Sequence, residues 1–455
     1  MGCLGIVVLV ILMMVMLHII FGIQLRHTIR ELKAEGKPIS IAEIVPVSVP
    51  DNENAALVMK RAFAVLGKQS TETGDNKQPE RLQGDISNAV KNLKSISDPS
   101  SWTEEQKKEI ERIVNSQRFH ELFSLFSQAA EKSGYNMDLK YEEGPGMRLS
   151  HVSKFRACIR GICLKAMMEA ESGQSDSALS TLLVGLRISG HLKQEPILIT
   201  QLVRIVCDKM LIDCVEHVAE APRIPVATTR EVMQSLANTA SVDSTSTCIA
   251  SCIDVERVGI GFWGFRYCRK EGYWRSVDQF ARIMDNGYSI WLYRLIAVFY
   301  RPFLNKDMQT YLVLMSEQEK RGVVPPYQLD ASVRNRDIKI PTYCILSRFI
   351  LPNLSFSSIW EACSQAGVCR IGLALRLYKQ ANGTYPDGLN KLMPEFIETQ
   401  PVDPFSGKPF VYHKTGDGFI LYSLGPDAVD NGGKQKQSRS RKSKEQYDIV
   451  WKCVE

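Results

Sequence analysis

A run of twenty residues without a charge constrains this chain more than any other feature. From Leu4 to Ile23 every side chain is apolar or absent except His18, and the first charged residue is Arg26. At a helical rise of about 1.5 Å per residue the run reaches roughly 30 Å, the thickness of a bilayer core. A cleaved signal peptide would have a basic leader, a shorter apolar stretch and a small-residue exit. Here Met1 to Cys3 precede the run, and Phe21, Ile23 and Leu25 line its exit. Cys3 has no apolar segment before it, as a lipoprotein cysteine would, and Ile6 stands where a myristoylation signal needs Ser or Thr. The run therefore predicts a retained, single-pass anchor with the lipid bilayer as partner of residues 4–23.

The remaining chain is long enough for two or three units, with hydrophobic residues at 44% and charged residues at 23%, which excludes wholesale disorder. The net charge of +6 is local. Lys434, Lys436, Arg439, Arg441, Lys442 and Lys444 supply six positive charges, so the rest is formally neutral and no nucleic-acid partner is expected. That basic stretch reads as a solvated loop between two strands. The twelve cysteines form no Cys-x-x-Cys and no zinc-site spacing. Cys248 and Cys252, at i and i+4, read as a buried small-residue stripe.

Helical periodicity dominates the body. Gln24 to Glu35 continues the anchor as a charged helix that Gly36-Lys37-Pro38 stops. Asp51 is expected to cap a helix reaching Leu66, and residues 67–85 read as a surface loop. Ile110, Ile113, Val114, Phe119, Leu122, Phe123 and Phe126 form one amphipathic stripe. Phe155–Glu171, a Ser-Gly-Gln-Ser turn and a helix capped by Asp176 predict a helical hairpin, and Pro196 opens a third helix. Residues 262–303 hold thirteen of the chain's 38 aromatic residues, with seven Arg or Lys interleaved, among them Arg294 and Arg301. Three readings stay open for this stretch: a core of amphipathic helices, a membrane-interface segment, or a surface for a protein partner.

Catalytic motifs are scarce. Gly259-Ile-Gly261-Phe-Trp-Gly264 fits G-x-G-x-x-G in letters, but a dinucleotide fingerprint needs a preceding strand in a βαβ unit, so the match reads as chance. No Walker loop, His-Glu-x-x-His or nucleophile elbow occurs. This favours binding or structure over catalysis, with an enzyme whose site is scattered along the sequence as an alternative.

The last hundred residues are more specific. Trp360 to Ala381 reads as a helix stopped by Asn382-Gly383. Tyr385-Pro386, a short helix Leu389–Phe396 and the turn Asp403-Pro404-Phe405-Ser406-Gly407 follow. Strands are expected at Phe410–Tyr412, Phe419–Leu424 and Ile449–Trp451, the first two joined at Gly416-Asp417-Gly418. In this order, and in Leu375, Tyr378, Leu389, Leu392, Pro409 and Ser423-Leu424-Gly425-Pro426-Asp427, residues 358–453 resemble the C-terminal region of the major pseudopilin of type II secretion systems. The resemblance implies an α+β module, an exported location and a Ca²⁺ site using the Leu424 carbonyl, Asp427 and Asp448. Asp430 is a further candidate from proximity, and the Gly that follows the Asp in the family is Ala428 here. Arg26, Arg30, Lys33 and Lys37 would hold this flank of the anchor in the cytoplasm by the positive-inside rule; the resemblance tips the expectation to an extracytoplasmic body.

The sequence thus predicts a mainly α protein: an anchor at 1–25, a juxtamembrane helix and loops at 26–100, an all-α helical-hairpin body at 101–345 and a pseudopilin-like α+β module at 356–455. The expected role is extracytoplasmic binding or envelope structure at the cell membrane, with a component of a type II secretion or pilus-like assembly as the alternative.

Overall fold

The computed structural model describes residues 2–67, 82–271, 303–330, 339–351, 356–435 and 447–453. The apolar run forms one unbroken helix with the charged segment after it, α1 (Gly2–Ala34), and Gly36 at φ +72° ends it. The helix is long and apolar enough to cross a membrane, and its apolar residues face outward, Leu9 being 69% exposed. Burial begins where charge does. Leu25, Thr28 and Leu32 pack inward, the Phe21 ring lies 5.7 Å from Phe303, and Lys306 Nζ donates to Gln24 Oε1 at 3.2 Å. Just beyond the helix, Lys37 pairs with Glu319. Glu319 also receives the fully buried Arg257 at 3.0 Å, and Arg257 in turn pairs with Asp254. A guanidinium without solvent is tolerated when carboxylates take its N–H groups, as these two do.

Short α2 (Ile41–Ile44) leads to α3 (Ala55–Gly67). The residue that caps α3 is Asn54, not Asp51: Asn54 Oδ1 accepts the Ala56 N–H at 3.0 Å, while Asp51 lies in the preceding turn. Residues 68–81 lie outside the described part, and α4 (Leu82–Lys91) claims the end of the expected loop. The amphipathic stripe is carried by two helices, α5 (Glu104–Val114) and α6 (Gln117–Ala130). Thr103 and Gln106 form a capping box on the first and Ser116 caps the second, so the chain breaks at Asn115-Ser116 while the stripe stays on the core side.

The expected hairpin is α7 (Ser150–Glu171) and α8 (Ser175–His191), turned at Gly173 with φ +75°. Glu169 fastens it by accepting from Lys165, Ser177 and Thr181. Asp176 is not the cap; Gln174 holds that position, and Asp176 instead accepts from Thr228. Helices α9 (Leu198–Val218), α10 (Val226–Ala237) and α11 (Val242–Val255) follow, and α11 runs through a π-helical turn, Glu256–Phe262, into α12 (Trp263–Glu271). The G-x-G-x-x-G match runs from that turn into the start of α12 and is preceded by a helix. Its Gly261 serves packing, since a Cβ there would sit 2.1 Å from the Tyr311 ring. Of the aromatic stretch, Phe262 and Phe265 are buried, and Trp263 stacks on Tyr267 at 5.0 Å; residues 272–302, with Arg294 and Arg301, lie outside the described part.

Helix α13 (Leu304–Gly322) carries Asp307, whose carboxylate accepts the Leu346 and Ser347 N–H groups at the start of α14 (Ile345–Ile350). Long α15 (Ser357–Asn382) stops at Gly383, φ +78°. Leu389–Leu392 forms a single 3-10 turn, shorter than the helix expected to Phe396. Three antiparallel strands, β1 (Val411–Thr415), β2 (Gly418–Ser423) and β3 (Ile449–Cys453), make a meander in the order β1-β2-β3. Thr415 pairs with Gly418, leaving the two-residue turn Gly416-Asp417, and Leu421 pairs with Trp451. The sheet lies on α15 through Gly372, where a Cβ would meet Trp451 at 1.9 Å.

Among the described residues, buried apolar side chains form two clusters. One joins α3–α10 to the C-terminal part of α15 and the sheet. The other gathers the exit of α1, α11, the π-helical turn, α13, α14 and the start of α15. The C-terminal module is thus distinct in secondary structure, but it shares its core with the body.

Candidate functional site

Helix α9 repeats at 3–4 spacing Leu202, Val206, Lys209, Asp213 and Glu216, so one face changes from apolar to charged along its length. That face meets α15 and the approach to β3, and between them opens a groove of about 440 Å³, also lined by Glu361, Gln365, Tyr447, Asp448 and Val450. A volume of this size takes a small molecule or one or two peptide side chains.

The groove's carboxylates are not equivalent. Asp213 Oδ1 accepts from Gln365 Nε2 at 2.9 Å and from Lys209 Nζ at 3.4 Å, yet burial pushes its carboxyl above the usual range. Glu361 is held by Ser357 at 3.0 Å and by the Tyr447 hydroxyl at 3.2 Å. Glu216 makes no hydrogen bond or ion pair with the described residues. Burial, with the Asp213 charge one turn away adding to it, pushes its carboxyl well above the ordinary range, against the pull of Lys209. Its surface is partly open to the groove although protein surrounds it. The arrangement offers a negative charge that is costly unless a cation arrives, beside the apolar walls of Leu202, Val206 and Val450.

Of the residues expected to hold Ca²⁺, Asp448 lines this groove, and Leu424, Asp427 and Asp430 lie with it on the connection between β2 and β3. The three carboxylates close that loop. Asp427 accepts from the Val429 N–H and Asn431 Nδ2, both at 3.2 Å; Asp430 Oδ1 accepts from the Tyr422 hydroxyl at 3.0 Å and the Gly432 N–H at 2.9 Å. Asp448, 2% exposed, accepts from the N–H groups of Asn431, Gly433 and Lys434 at 3.4, 2.8 and 3.2 Å. Burial raises its carboxyl, with Asp430 adding to the effect. Leu424 is tied through its N–H to Asp403 at 3.3 Å. Ala428 takes φ +55°, in the left-handed region that favours Gly. Among the described residues no three His, Cys, Asp or Glu side chains are grouped to hold a metal ion.

The groove residues Asp213, Glu216 and Gln365 escaped the sequence reading. The one signal was charge continuing the apolar stripe of α9. No protein-family model matches the chain, and no curated protein or solved structure does either.

Proposed function

We propose that the chain is a single-pass protein of the bacterial envelope that holds its helical body outside the cytoplasm and binds ligands bearing a cation on an aliphatic stem. The groove between α9 and α15 is the site, and an amine or guanidinium is the group it takes. The observation that carries this reading is Glu216, a carboxyl without a partner among the described residues in a groove with apolar walls. Burial disfavours the ionised form of this carboxyl and a cation placed beside it favours that form, so binding should strengthen as pH rises. The anchor supports placement at a membrane, and the pseudopilin resemblance supports export. A role in a secretion or pilus-like assembly rests on that resemblance alone, and fibres in the membrane fraction would favour it.

Spermidine and n-hexylamine, titrated into the full chain in detergent at pH 8, should raise the melting temperature, whereas hexanoate should not. Glu216→Gln should weaken the amine response at least tenfold. Equal responses to amine and carboxylate, or none to either, would remove the groove as a cation site. The two raised carboxyls, Asp213 and Glu216, favour a second reading, general acid–base chemistry on the bound ligand. Recovery of every bound ligand unchanged after prolonged incubation would exclude it.

A further inference from the structure

The apolar surface of α1 ends among cations that carry no anion. Ile19, Ile23 and Arg26 follow one another at 3–4 spacing, so one exposed line of the helix passes from aliphatic to cationic. The Arg26 stem bends back toward the start of the helix, the direction in which helical side chains lean. Its Nη1 lies 3.9 Å from the point that a Gly22 Cβ would occupy. Asn305 Nδ2, from the first turn of α13, lies 3.5 Å from the same point. Gly22 thus leaves room in which an arginine and an amide meet.

Two further cations border that room. Arg269 of α12 is exposed and donates from Nη2 to Asn305 Oδ1 at 2.8 Å. A guanidinium only donates, so this bond turns the amide oxygen toward Arg269 and leaves the amide NH2 for Gly22. Among the described residues that NH2 has no acceptor, although Asn305 is only 9% exposed. Lys306 Nζ lies 5.9 Å from the Phe21 ring centre, held by the neutral oxygens of Gln24 and Gln309 at 3.2 and 2.8 Å. Two carboxylates near in sequence are engaged elsewhere. Glu31 pairs with His27 at 3.3 Å, and Asp307 accepts the Leu346 and Ser347 N–H groups. Among the described residues Arg26, Arg269 and Lys306 form no ion pair. The place offers donors and positive charge without an acceptor for them, which is the chemistry that holds an oxyanion. Exposed Ile19, Ile20 and Ile23 adjoin it on the apolar side. A soluble anion has no use for that wall, whereas a lipid phosphate arrives with acyl chains.

We propose that the junction of α1, α12 and α13 binds the phosphate of an anionic phospholipid, whose acyl chains lie along Ile19 and Ile23. The site rests on the reading of α1 as a membrane anchor. Arg26 and the Asn305 NH2 donate to phosphate oxygens, Arg269 adds the N–H groups that Asn305 does not take, and Lys306 supplies charge from the Phe21 side. Anionic lipid attracts cations that flank a spanning helix in general. Here the cations come from three elements, so the lipid also holds α1 against the body.

The test uses the full chain in dodecyl maltoside. Dioleoyl phosphatidylglycerol should raise the melting temperature, whereas dioleoyl phosphatidylcholine and millimolar inorganic phosphate should not. Arg26→Gln and Arg269→Gln should each raise the phosphatidylglycerol concentration at half effect about tenfold, the loss expected for a hydrogen bond to a charged group. Asn305→Asp should abolish the response, because a carboxylate placed among the cations takes the part of the phosphate. Lys108→Gln, which removes an exposed charge from α5, should leave the response unchanged. An equal rise with both lipids, no rise with either, or a full response in both arginine variants would overturn the site. A rise with inorganic phosphate that matches phosphatidylglycerol would overturn the lipid as its ligand. Release of the full chain from membranes by carbonate would instead remove the anchor on which the site rests; retention without a preference for phosphatidylglycerol would remove the site alone.

Discussion

Glu256 opens the π-helical turn and Asp307 sits near the start of α13, and burial acts on both. It pushes the Glu256 carboxyl up to about 7 and the Asp307 carboxyl up to about 6, the latter against the lowering effect of the Ser347 and Leu346 donors. Unfolded, both groups lose their protons near pH 4. Between about pH 4 and 7 the folded chain therefore binds more protons than the unfolded one, and stability falls as pH rises through that window. Arg257 in the same core is paired with Glu319 and Asp254. Glu256→Gln should consequently stabilise the chain by about 1–3 kcal/mol at pH 8 and by almost nothing at pH 4. Thermal unfolding of both proteins across that range measures the difference, and a gain that grows toward acid pH would refute the burial argument.

The loop between β2 and β3 sets backbone donors against a cation for the same carboxylates. Asp448 receives three N–H groups and is nearly inaccessible, so it acts as the loop's internal cap. Asp427 and Asp430 are nearer solvent, and Asp430 Oδ2 accepts no hydrogen bond from the described residues. If Ca²⁺ joins the loop as the pseudopilin resemblance implies, millimolar Ca²⁺ should raise the melting temperature, and Asp427→Ala should abolish the rise. Asp448→Ala should cost about 1–3 kcal/mol with or without Ca²⁺, because it strands buried donors. An unchanged melting temperature at millimolar Ca²⁺ would leave the loop as a hydrogen-bonded turn. The elements that were legible in the sequence share one property: their signals are local. Gly383 ends α15, Gly416-Asp417 turns the hairpin, and the spacing from Ile110 to Phe126 marks a buried face. Caps were harder, because Asp51 and Asp176 have the right chemistry but Asn54 and Gln174 have the position. The groove was not legible, since Gln365 meets Asp213 across 152 positions and no local pattern announces that pairing.

At the scale of the whole molecule, the apolar N-terminal segment and the body are joined by more than a tether. The same helix that leaves the apolar run buries Leu25, Thr28 and Leu32, and Lys37 then locks onto Glu319 beside Arg257. Solvent-side charge and core-side leucine thus alternate on α1 beyond residue 24, which marks where the outward-facing apolar surface gives way to protein contact. Two buried leucines are worth about 3–6 kcal/mol together, a large part of the 5–15 kcal/mol that holds a typical domain. The place of truncation should therefore decide the outcome. The full chain should stay in membranes through a carbonate wash, and a chain starting at Gln24 should leave the membrane fraction folded. A chain starting at Lys33 should melt lower or aggregate, since it lacks Leu25 and Leu32 and uncovers the surface of α13 that they cover. Equal melting temperatures for the two truncations would show that α1 is only a tether. Release of the intact full chain by the wash would remove the anchor itself, and a reporter fused after Glu455 that is active in the cytoplasm would reverse the orientation while leaving the docking argument untouched.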